Sequence, residues 1–418
     1  MQINAQRLLA DIETLTHFTE VDTPGWTRRF PSSAYQESRQ WLRQRFESAG
    51  MHTHIDAAGN LHGRTATGGA LPPICAGSHT DTVMGGGRYD GVLGVLGALE
   101  AVRTIQEAGV ELRHPLGVID FLSEEATDYA IACMGSLAMC TGDFNPDWLA
   151  RTARNDHGDD VPLRDAIAVM GGDPEQLRQQ RPLTHAGDIA AFLEIHIEQG
   201  PILEAKGAKL AAVSGIVGIR RAIYRVHGRA NHAGTTSMEL RHDALAAAAE
   251  LISTVERIAQ AHPGTVGTVG KLDVRPNQGN VIPEEVTMMT EMRSLDMDEL
   301  DAMWQEFTAV IEPACAKRGV TYEEYNATRM NSVLAPAWLH QIIHGICQQH
   351  DPQTIVIPSG AGHDANYMSL IAPTAMIFVP SVDGRSHTPE EFTAEEDLAR
   401  GVQVLAEALV AIDGWLGQ

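Results

Sequence analysis

The stretch Ile74–Gly91 reads ICAGSHTDTVMGGGRYDG. An apolar run opens it, His79 and Asp81 follow, and three successive glycines precede Asp90, after which an apolar helical pattern begins. This order predicts a strand that ends at His-x-Asp and a helix that begins at Asp90. In open α/β sheets, ligands bind at the carboxyl edge of the strands. The stretch therefore predicts three side chains that can bind metal at one edge of a sheet.

Simpler interpretations of the same residues remain open at this point. Asp90 is a good helix N-cap in its own right, and His79 could be an ordinary loop histidine. A glycine-rich loop between a strand and a helix could also hold a phosphate. The stretch contains neither G-x-G-x-x-G nor G-x-x-x-x-G-K-[ST], so the phosphate interpretation is the weaker one.

Length and charge limit the class of protein. The chain has 418 residues, enough for two domains of ordinary size. Its 31 Lys and Arg residues against 54 Asp and Glu residues give a formal net charge of −23. Such a charge opposes binding to nucleic acid and to anionic membrane surfaces. We therefore expect neither partner.

Cysteine usage and the N-terminal sequence indicate a cytosolic protein. The five cysteines are an odd number without a C-x-x-C spacing, which argues against a disulfide framework and a Cys-based zinc site. Reduced thiols are typical of the cytosol. The first 20 residues predict an amphipathic helix and not a signal peptide. No apolar stretch approaches the length needed to span a membrane.

Two further buried strands are predicted to end in polar residues. The apolar run Leu116–Leu122 is followed by Glu124 and Glu125, which could also be a solvated acidic turn. The run AFLEIHIEQG at 191–200 places His196 between two isoleucines, with Gln199 close behind. A lone histidine in an apolar strand is more often a core residue than a ligand. The neighbouring acids make a polar site more plausible here.

The middle of the chain predicts a separate domain, at residues 212–329, inserted into an α/β domain formed by residues 1–211 and 330–418. The predicted elements are strand Ile219–His227, helix Glu239–Gln260, strands Thr265–Val274 and Val286–Ser294, helix Met297–Gly319 and strand Val320–Thr328. This β-α-β-β-α-β order is ferredoxin-like. The α/β pattern then resumes through strand Thr374–Val379 and a final helix at Glu395–Leu416.

The last segment adds two histidines to the predicted sheet edge. His363 lies in the loop at 359–365, and His387 follows the strand Thr374–Val379. Imidazoles and carboxylates without thiolates suit Zn, Mn, Co or Ni. A pair of such ions can activate one water for hydrolysis and leave a spare carboxylate as the base. Asp90 could bridge the two ions.

These motifs together resemble the M20-type binuclear metallohydrolases. More narrowly, they resemble the hydantoinase/carbamoylase amidase branch, which contains N-carbamoyl-L-amino acid hydrolases, allantoate amidohydrolases and β-ureidopropionases. The matching stretches are GSHTDTVMGGGRYDGVLG, the Glu124-Glu125 pair, FLEIHIEQGP, ANHAGTTSMELRHDAL, NVIPEEV, EMRS, SGAGHDA and MIFVPSVDGRSHTPEE. They extend over nearly the whole chain from residue 77 onward.

The resemblance implies a fold and a set of roles. The fold would be a mixed-sheet α/β catalytic domain with an inserted ferredoxin-like α+β domain that acts as a lid and forms a homodimer. Two divalent ions per subunit, with Zn or Mn favoured, would be held by His79 and His196, by Glu125 and His387, and by Asp90 as the bridge. Glu124 would be the general base, and Asp81 would orient His79. Gln199, His232, Asn280, Arg293, His363 and Arg385 would bind the substrate.

The implied reaction is hydrolysis of an N-carbamoyl-L-amino acid or a similar ureido acid that carries a carboxylate, giving an amino acid, ammonia and carbon dioxide. Arg293 offers a fork for that carboxylate. An allantoate amidohydrolase and an M20-type deacylase or dipeptidase are the enzymatic alternatives. A non-catalytic binding protein of the same fold is a third, which the intact Glu124 and ligand set disfavour.

The chain also departs from the pattern of the family. After the two glutamates the family usually has Gly-Ser-Arg-Phe, where this chain has Ala126-Thr127-Asp128-Tyr129. Arg385 stands at a position that is usually apolar. Asp128 and Arg385 therefore leave the choice of substrate open.

Overall fold

The computed structural model describes residues 1–66, 69–126 and 128–417. The chain divides into two compact units. The larger unit comprises Met1–Ser214 and Ala335–Gln418, and the smaller unit comprises Gly215–Leu334. Within the described ranges, no helix combines the length and apolarity required to cross a lipid bilayer.

The elements alternate between strands and helices along most of the chain. The strands are β1 (Met51–Ile55), β2 (Leu61–Thr65), β3 (Ile74–His79), β4 (Leu116–Phe121), β5 (Thr152–Arg154), β6 (Asp160–Pro162), β7 (Ala191–Ile197), β8 (Ala211–Ile216), β9 (Gly218–His227), β10 (Val266–Arg275), β11 (Glu285–Ser294), β12 (Thr321–Met330), β13 (Val333–Leu334), β14 (Ile355–Ser359) and β15 (Thr374–Val379). The α-helices are α1 (Ala5–Thr16), α2 (Ser33–Ser48), α3 (Val92–Glu107), α4 (Met134–Thr141), α5 (Leu163–Val169), α6 (Pro174–Leu177), α7 (Ile202–Lys206), α8 (Ala244–Ala261), α9 (Met297–Ala316), α10 (Ala337–His350), α11 (Asp364–Met368) and α12 (Glu395–Leu416).

A mixed sheet forms the larger unit's centre. Its strand order within that unit is β1-β2-β4-β3-β7-β15-β8, with β14 paired to β8. The inner strands β4, β3, β7 and β15 run parallel and are buried along their whole length. Strands buried on both faces read as continuous apolar runs, which is how the sequence identified them. The predicted mixed-sheet α/β fold is confirmed.

Helix α3 is buried from Val92 to Ile105 and packs against β3 and α12. A helix that is apolar on all sides belongs in the interior of a layered domain. Because α3 starts right after the glycine-rich loop, the packing of α3 fixes the position at which that loop ends. The core thus sets the position of Asp90 relative to His79.

The smaller unit has an antiparallel sheet in the order β10-β11-β9-β12. Its chain order is the β-α-β-β-α-β order expected from the sequence. Residues of β11 alternate between buried and half-buried, and α8 and α9 pack on the buried side. Helix α8 begins five residues later than predicted, because Asp243 caps it by accepting from the N–H of Ala246.

Candidate metal centre

The parallel strands bring the predicted ligands to one edge of the large sheet. His79 is the last residue of β3 and is paired in register with Phe121, the last residue of β4. Glu124 and Glu125 lie in the loop after β4, which ends at Phe121. His196, near the end of β7, is paired with Phe378 of β15. Strand register alone therefore aligns side chains that are far apart in sequence.

Asp90 lies at the centre of this edge, and its two carboxylate oxygens face different partners. Oδ1 lies 3.1 Å from Nε2 of His196 and 3.8 Å from Nε2 of His79. Oδ2 lies 3.2 Å from Nε2 of His387, which in turn lies 3.2 Å from Oε1 of Glu125. Two groups of metal-competent atoms, one with His79 and His196 and one with Glu125 and His387, thus share Asp90.

Asp90 is not the N-cap of α3. Gly91 holds that position with φ of +67°, and the Asp90 side chain points to the histidines instead. A Cβ atom at residue 91 would lie 2.4 Å from Cε1 and Nε2 of His79. Glycine at this position therefore serves both the left-handed backbone and the close approach of the His79 ring.

The clustered carboxylates at this edge of the sheet favour bound cations. Burial opposes the charge on His79, but Glu124, Asp81 and Asp90 outweigh it and raise the pKa of that imidazole well above its usual range. Hydrogen bonds to Asp90 and Glu125 raise the pKa of His387 to about 11. Imidazole nitrogens and carboxylate oxygens are donors suited to Zn or Mn. The residues thus fit divalent metal ions of this kind.

The ring of His196 is oriented for one of these groups only. The N–H of Gly91 donates to its Nε2 at 3.2 Å, and its Nδ1 donates to the carbonyl of Ile197 at 2.8 Å. A third group of metal-competent atoms, with Glu194 and His363, shares this histidine. Because Nδ1 is held by a carbonyl and Nε2 faces Asp90, His196 has no nitrogen left for that third group.

Asp81 supports the site differently from the expected way. Its carboxylate lies 3.7 Å from Nδ1 of His79, beyond hydrogen-bond distance, and its backbone carbonyl accepts from that nitrogen at 3.0 Å instead. The carboxylate accepts from the backbone N–H groups of Glu124 and Glu125 at 3.2 and 3.1 Å. Asp81 therefore joins the loop after β3 to the loop after β4.

Glu124 lies beside His79 with its side chain 12% exposed, and its Oε2 is 3.8 Å from Nε2 of that ring. Burial raises the pKa of the Glu124 carboxyl well above its usual range, although His79 opposes the shift. The other oxygen, Oε1, accepts from the thiol of Cys133 at 3.1 Å. Glu124 thus has one oxygen held by the protein and the other turned to the metal-competent groups.

The remaining predicted residues of the larger unit lie in different surroundings. Gln199 donates from Nε2 to Oδ2 of Asp90 at 2.7 Å, so it adjoins the site. His363 is buried and packs edge-on against His196, with ring centroids 4.7 Å apart, and its Nε2 pairs with the hydroxyl of Ser359 at 2.8 Å. Arg385 is exposed.

Asp128 forms an ion pair that the sequence did not reveal. Its Oδ1 accepts from Nη1 of Arg29 at 2.8 Å, and Arg29 also pairs with Glu20 at 2.7 Å. Both partners of the Asp128–Arg29 pair are mostly buried. The acid that departs from the family pattern is therefore matched by a base from the N-terminal segment. Its neighbour Thr127 lies outside the described residues.

The smaller unit holds the other three predicted substrate residues. His232 forms a bridge with Val281, and the N–H of Ala233 donates to the carbonyl of Asn280 at 2.9 Å. His232 and Asn280 therefore lie on adjacent segments. Arg293 lies near the end of β11, where its Nη2 is 2.5 Å from Oε1 of Glu291.

Two residues around Asp90 were not predicted from the sequence. Ser386 donates to Oδ2 of Asp90 at 2.6 Å, and buried Glu391 accepts from the N–H groups of Tyr89 and Asp90 at 2.8 and 3.1 Å. Both stand in the stretch SHTPEE with His387. Only that adjacency could have pointed to them, since Asp90 is about 300 positions away.

Comparisons with known proteins show which family the chain belongs to. Residues 50–411 match the model of peptidase family M20/M25/M40. The chain is 36% identical over 406 residues to an N-carbamoyl-L-amino acid amidohydrolase of Geobacillus stearothermophilus, covering 96% of this chain and 97% of the relative. It is 32% identical over 404 residues to an allantoate amidohydrolase of Bacillus subtilis, covering 95% of each. An amidase of the hydantoinase/carbamoylase family from Burkholderia multivorans superposes with a TM-score of 0.87 at 29% identity, covering 98% of each chain.

Proposed function

This chain belongs to peptidase family M20/M25/M40, as the sequence predicted, and we propose that it is a metal-dependent amidohydrolase of ureido acids. The reaction is cleavage of the C–N bond of an N-carbamoyl-L-amino acid, giving the amino acid, ammonia and carbon dioxide. The observation that carries the proposal is the division of Asp90 between two metal-competent groups beside the mostly buried Glu124. Relatives over nearly the full length that are named N-carbamoyl-L-amino acid amidohydrolases support the substrate class.

Two divalent ions per subunit, Zn or Mn, fit the donor set. His79, His196 and Asp90 would hold one ion, and Asp90, Glu125 and His387 would hold the other. Bound divalent ions supply Lewis acidity, which makes water a stronger acid and polarises a carbonyl. The chain supplies a pre-oriented set of ligands, buried except for the exposed His387, which limits reorganisation during the reaction.

Glu124 is the proposed general base and acid. Its raised pKa suits a carboxylate that takes a proton from water and later gives it to the leaving nitrogen. The thiol of Cys133 holds Oε1, which leaves Oε2 to carry the proton. Asp81 fixes the backbone of Glu124 and thereby sets the direction of this side chain.

The smaller unit is proposed to act as a lid and as the dimer-forming part. His232 and Asn280 would contact the ureido group, and Arg293 the substrate carboxylate. In the structure Glu291 contacts Arg293, which holds the guanidinium group in a defined direction. Gln199, His363 and Arg385 remain proposed substrate residues of the larger unit. Free thiols at all five cysteines support the cytosolic location expected from the sequence.

Allantoate is the alternative substrate, because a relative of similar coverage is an allantoate amidohydrolase. A substrate panel separates the candidates. The metal-loaded protein is incubated with N-carbamoyl, N-formyl and N-acyl L-amino acids and with allantoate, and released ammonia and amine are measured. We expect ammonia from N-carbamoyl-L-amino acids. Ammonia from allantoate alone would select the alternative, and amine from N-acyl substrates alone would reject both.

The variant Glu124→Gln tests the role of the base. It keeps the size of the side chain and removes its ability to take a proton. We expect turnover to fall by at least about a hundredfold, the scale of general acid–base catalysis, with metal binding retained. Unchanged turnover would contradict the assignment.

A further inference from the structure

Glu391 lies beneath the glycine-rich loop that carries Asp90. Its side chain is 3% exposed. Oε1 accepts from the backbone N–H groups of Tyr89 and Asp90 at 2.8 and 3.1 Å. A Cβ atom at Gly87 would lie 2.1 Å from Cδ of Glu391, so only glycine at that position leaves room for the carboxylate. The loop is therefore built around this side chain.

Ser386 connects the same carboxylate to the Asp90 side chain. Its hydroxyl oxygen lies 2.6 Å from Oδ2 of Asp90 and 3.0 Å from Oε2 of Glu391. The shorter contact makes Asp90 the main acceptor of the single hydroxyl hydrogen. Gln199 donates to the same Oδ2 at 2.7 Å. Two donors thus hold Oδ2 while Oδ1 faces His196.

We propose that Glu391 and Ser386 are positioning residues that set the orientation of Asp90 as the carboxylate shared by two metal ions. Glu391 holds the backbone of Asp90, and Ser386 holds its side chain. The proposal rests on the proposed function, because it presumes that Asp90 bridges two ions.

The same pair also couples the two loops that carry the ligands. Ser386 immediately precedes His387, whose Nε2 lies 3.2 Å from Oδ2 of Asp90. His387 itself has φ of +57°, a strained conformation for a residue with a Cβ. The hydrogen bond that Ser386 donates and those that Glu391 accepts hold this loop against the loop of Asp90. Groups that orient metal ligands typically change metal affinity or activity by about 10- to 100-fold when removed.

The first test compares Ser386→Ala with Thr388→Ala in the full chain. Both variants remove one hydroxyl from a residue adjoining His387, but Thr388 donates to Glu390, a carboxylate at the surface. Mn²⁺ affinity is measured by competition with a chelator. We expect Ser386→Ala to weaken binding of at least one ion by about tenfold or more and Thr388→Ala to leave both affinities unchanged. Equal affinities in the two variants would overturn the proposal.

The second test compares Glu391→Gln with Glu391→Ala. Glutamine keeps an oxygen for the two N–H groups and can donate to the hydroxyl of Ser386, whereas alanine leaves buried donors unsatisfied. We expect Glu391→Gln to bind Mn²⁺ within about threefold of wild type, well below the 10- to 100-fold loss expected of Glu391→Ala. A loss in Glu391→Gln as large as in Glu391→Ala would contradict the hydrogen-bond argument.

Kinetics separate this proposal from the proposed function. With N-carbamoyl-L-amino acid as substrate and saturating Mn²⁺, Ser386→Ala should lower kcat while KM stays near that of wild type, because the proposed role of Ser386 is to orient Asp90 and not to bind the substrate. A wild-type protein that binds two Mn²⁺ ions but hydrolyses no ureido compound would reject the proposed function. The comparison of Mn²⁺ affinities would still decide the roles of Ser386 and Glu391.

Discussion

The substitution Gly91→Ala tests whether the first turn of α3 is shaped around His79. Gly91 and Gly109 lie at the two ends of α3, and both have positive φ, +67° and +64°. An added Cβ at residue 91 would lie 2.4 Å from the His79 ring, whereas at residue 109 nothing lies within 4 Å. Gly109→Ala is therefore a control for an alanine at positive φ without a collision.

The magnitude follows from two separate costs. An alanine with positive φ costs about 1–2 kcal/mol in the left-handed helical region. Gly91, whose ψ is −43°, lies outside that region, so an alanine there costs at least as much. At residue 91 the collision with His79 adds overpacking, about 1–3 kcal/mol. Gly109→Ala should thus lose about 1–2 kcal/mol of unfolding free energy and Gly91→Ala at least about 2 kcal/mol. The displaced ring should also weaken binding of the first metal ion, which the control should not do.

Urea unfolding and Mn²⁺ titration of both variants supply the two measurements. The reasoning predicts that Gly91→Ala is less stable than Gly109→Ala by at least about 1 kcal/mol, with a loss of Mn²⁺ affinity only in Gly91→Ala. Equal stability and equal Mn²⁺ affinity in the two variants would refute it. Such a result would mean that the His79 ring moves aside at little cost and is not held for metal binding.

Two further predictions concern a thiol and a histidine. Cys133→Ala removes the donor to Oε1 of Glu124, so kcat should fall by about tenfold with KM and metal affinity unchanged. Cys133→Ser keeps a donor and should recover most of the rate. Equal rates in both variants would contradict the role of the Cys133 thiol as a donor to Glu124. Hydrogen bonds to Glu299 and Glu306 raise the pKa of His262. The stabilisation that the charged His262 gives the smaller unit is therefore complete below the ordinary histidine pKa of about 6.5, and it is lost as the pH rises through the raised pKa. After correction for the intrinsic exchange rate, the amides of α8 and α9 should accordingly be less protected from hydrogen exchange at alkaline pH. His262→Gln should abolish that pH dependence. The same pH dependence in the variant would exclude His262 as its source.

The sequence predicted those helices and strands whose buried side chains recur at regular intervals. Strand β15 and helix α12 have the predicted bounds, because an apolar run and a long amphipathic stretch leave few alternatives. The parallel strands also explain why His79 and His196 could be assigned to the same edge from the sequence alone. Periodicity thus predicts both the scaffold and the residues that end each strand.

Contacts between distant loops could not be predicted in this way. Helix α4 begins at Met134 after Cys133, whose φ of +49° is uncommon for a residue with a side chain. The hydrogen bonds of Glu391 to the loop before α3 join positions about 300 residues apart. Neither has a local sequence pattern, since each depends on packing of loops onto the finished sheet.

The departure at Asp128 shows the same limitation. From the sequence, an acid in place of the usual base beside Glu125 raised doubt about the substrate. In the structure Asp128 is paired with Arg29, a residue that no motif connects with it. The substituted acid therefore has a basic partner from the N-terminal segment, which it shares with Glu20.

The most direct test of the central claim is the metal dependence of ureido hydrolysis. The protein is stripped with a chelator, titrated with Mn²⁺ or Zn²⁺, and assayed for ammonia released from an N-carbamoyl-L-amino acid. The arrangement of two groups around Asp90 predicts no hydrolysis without metal and a maximum rate at two ions per chain. Full hydrolysis by the stripped protein, or a maximum rate at a single ion, would contradict it.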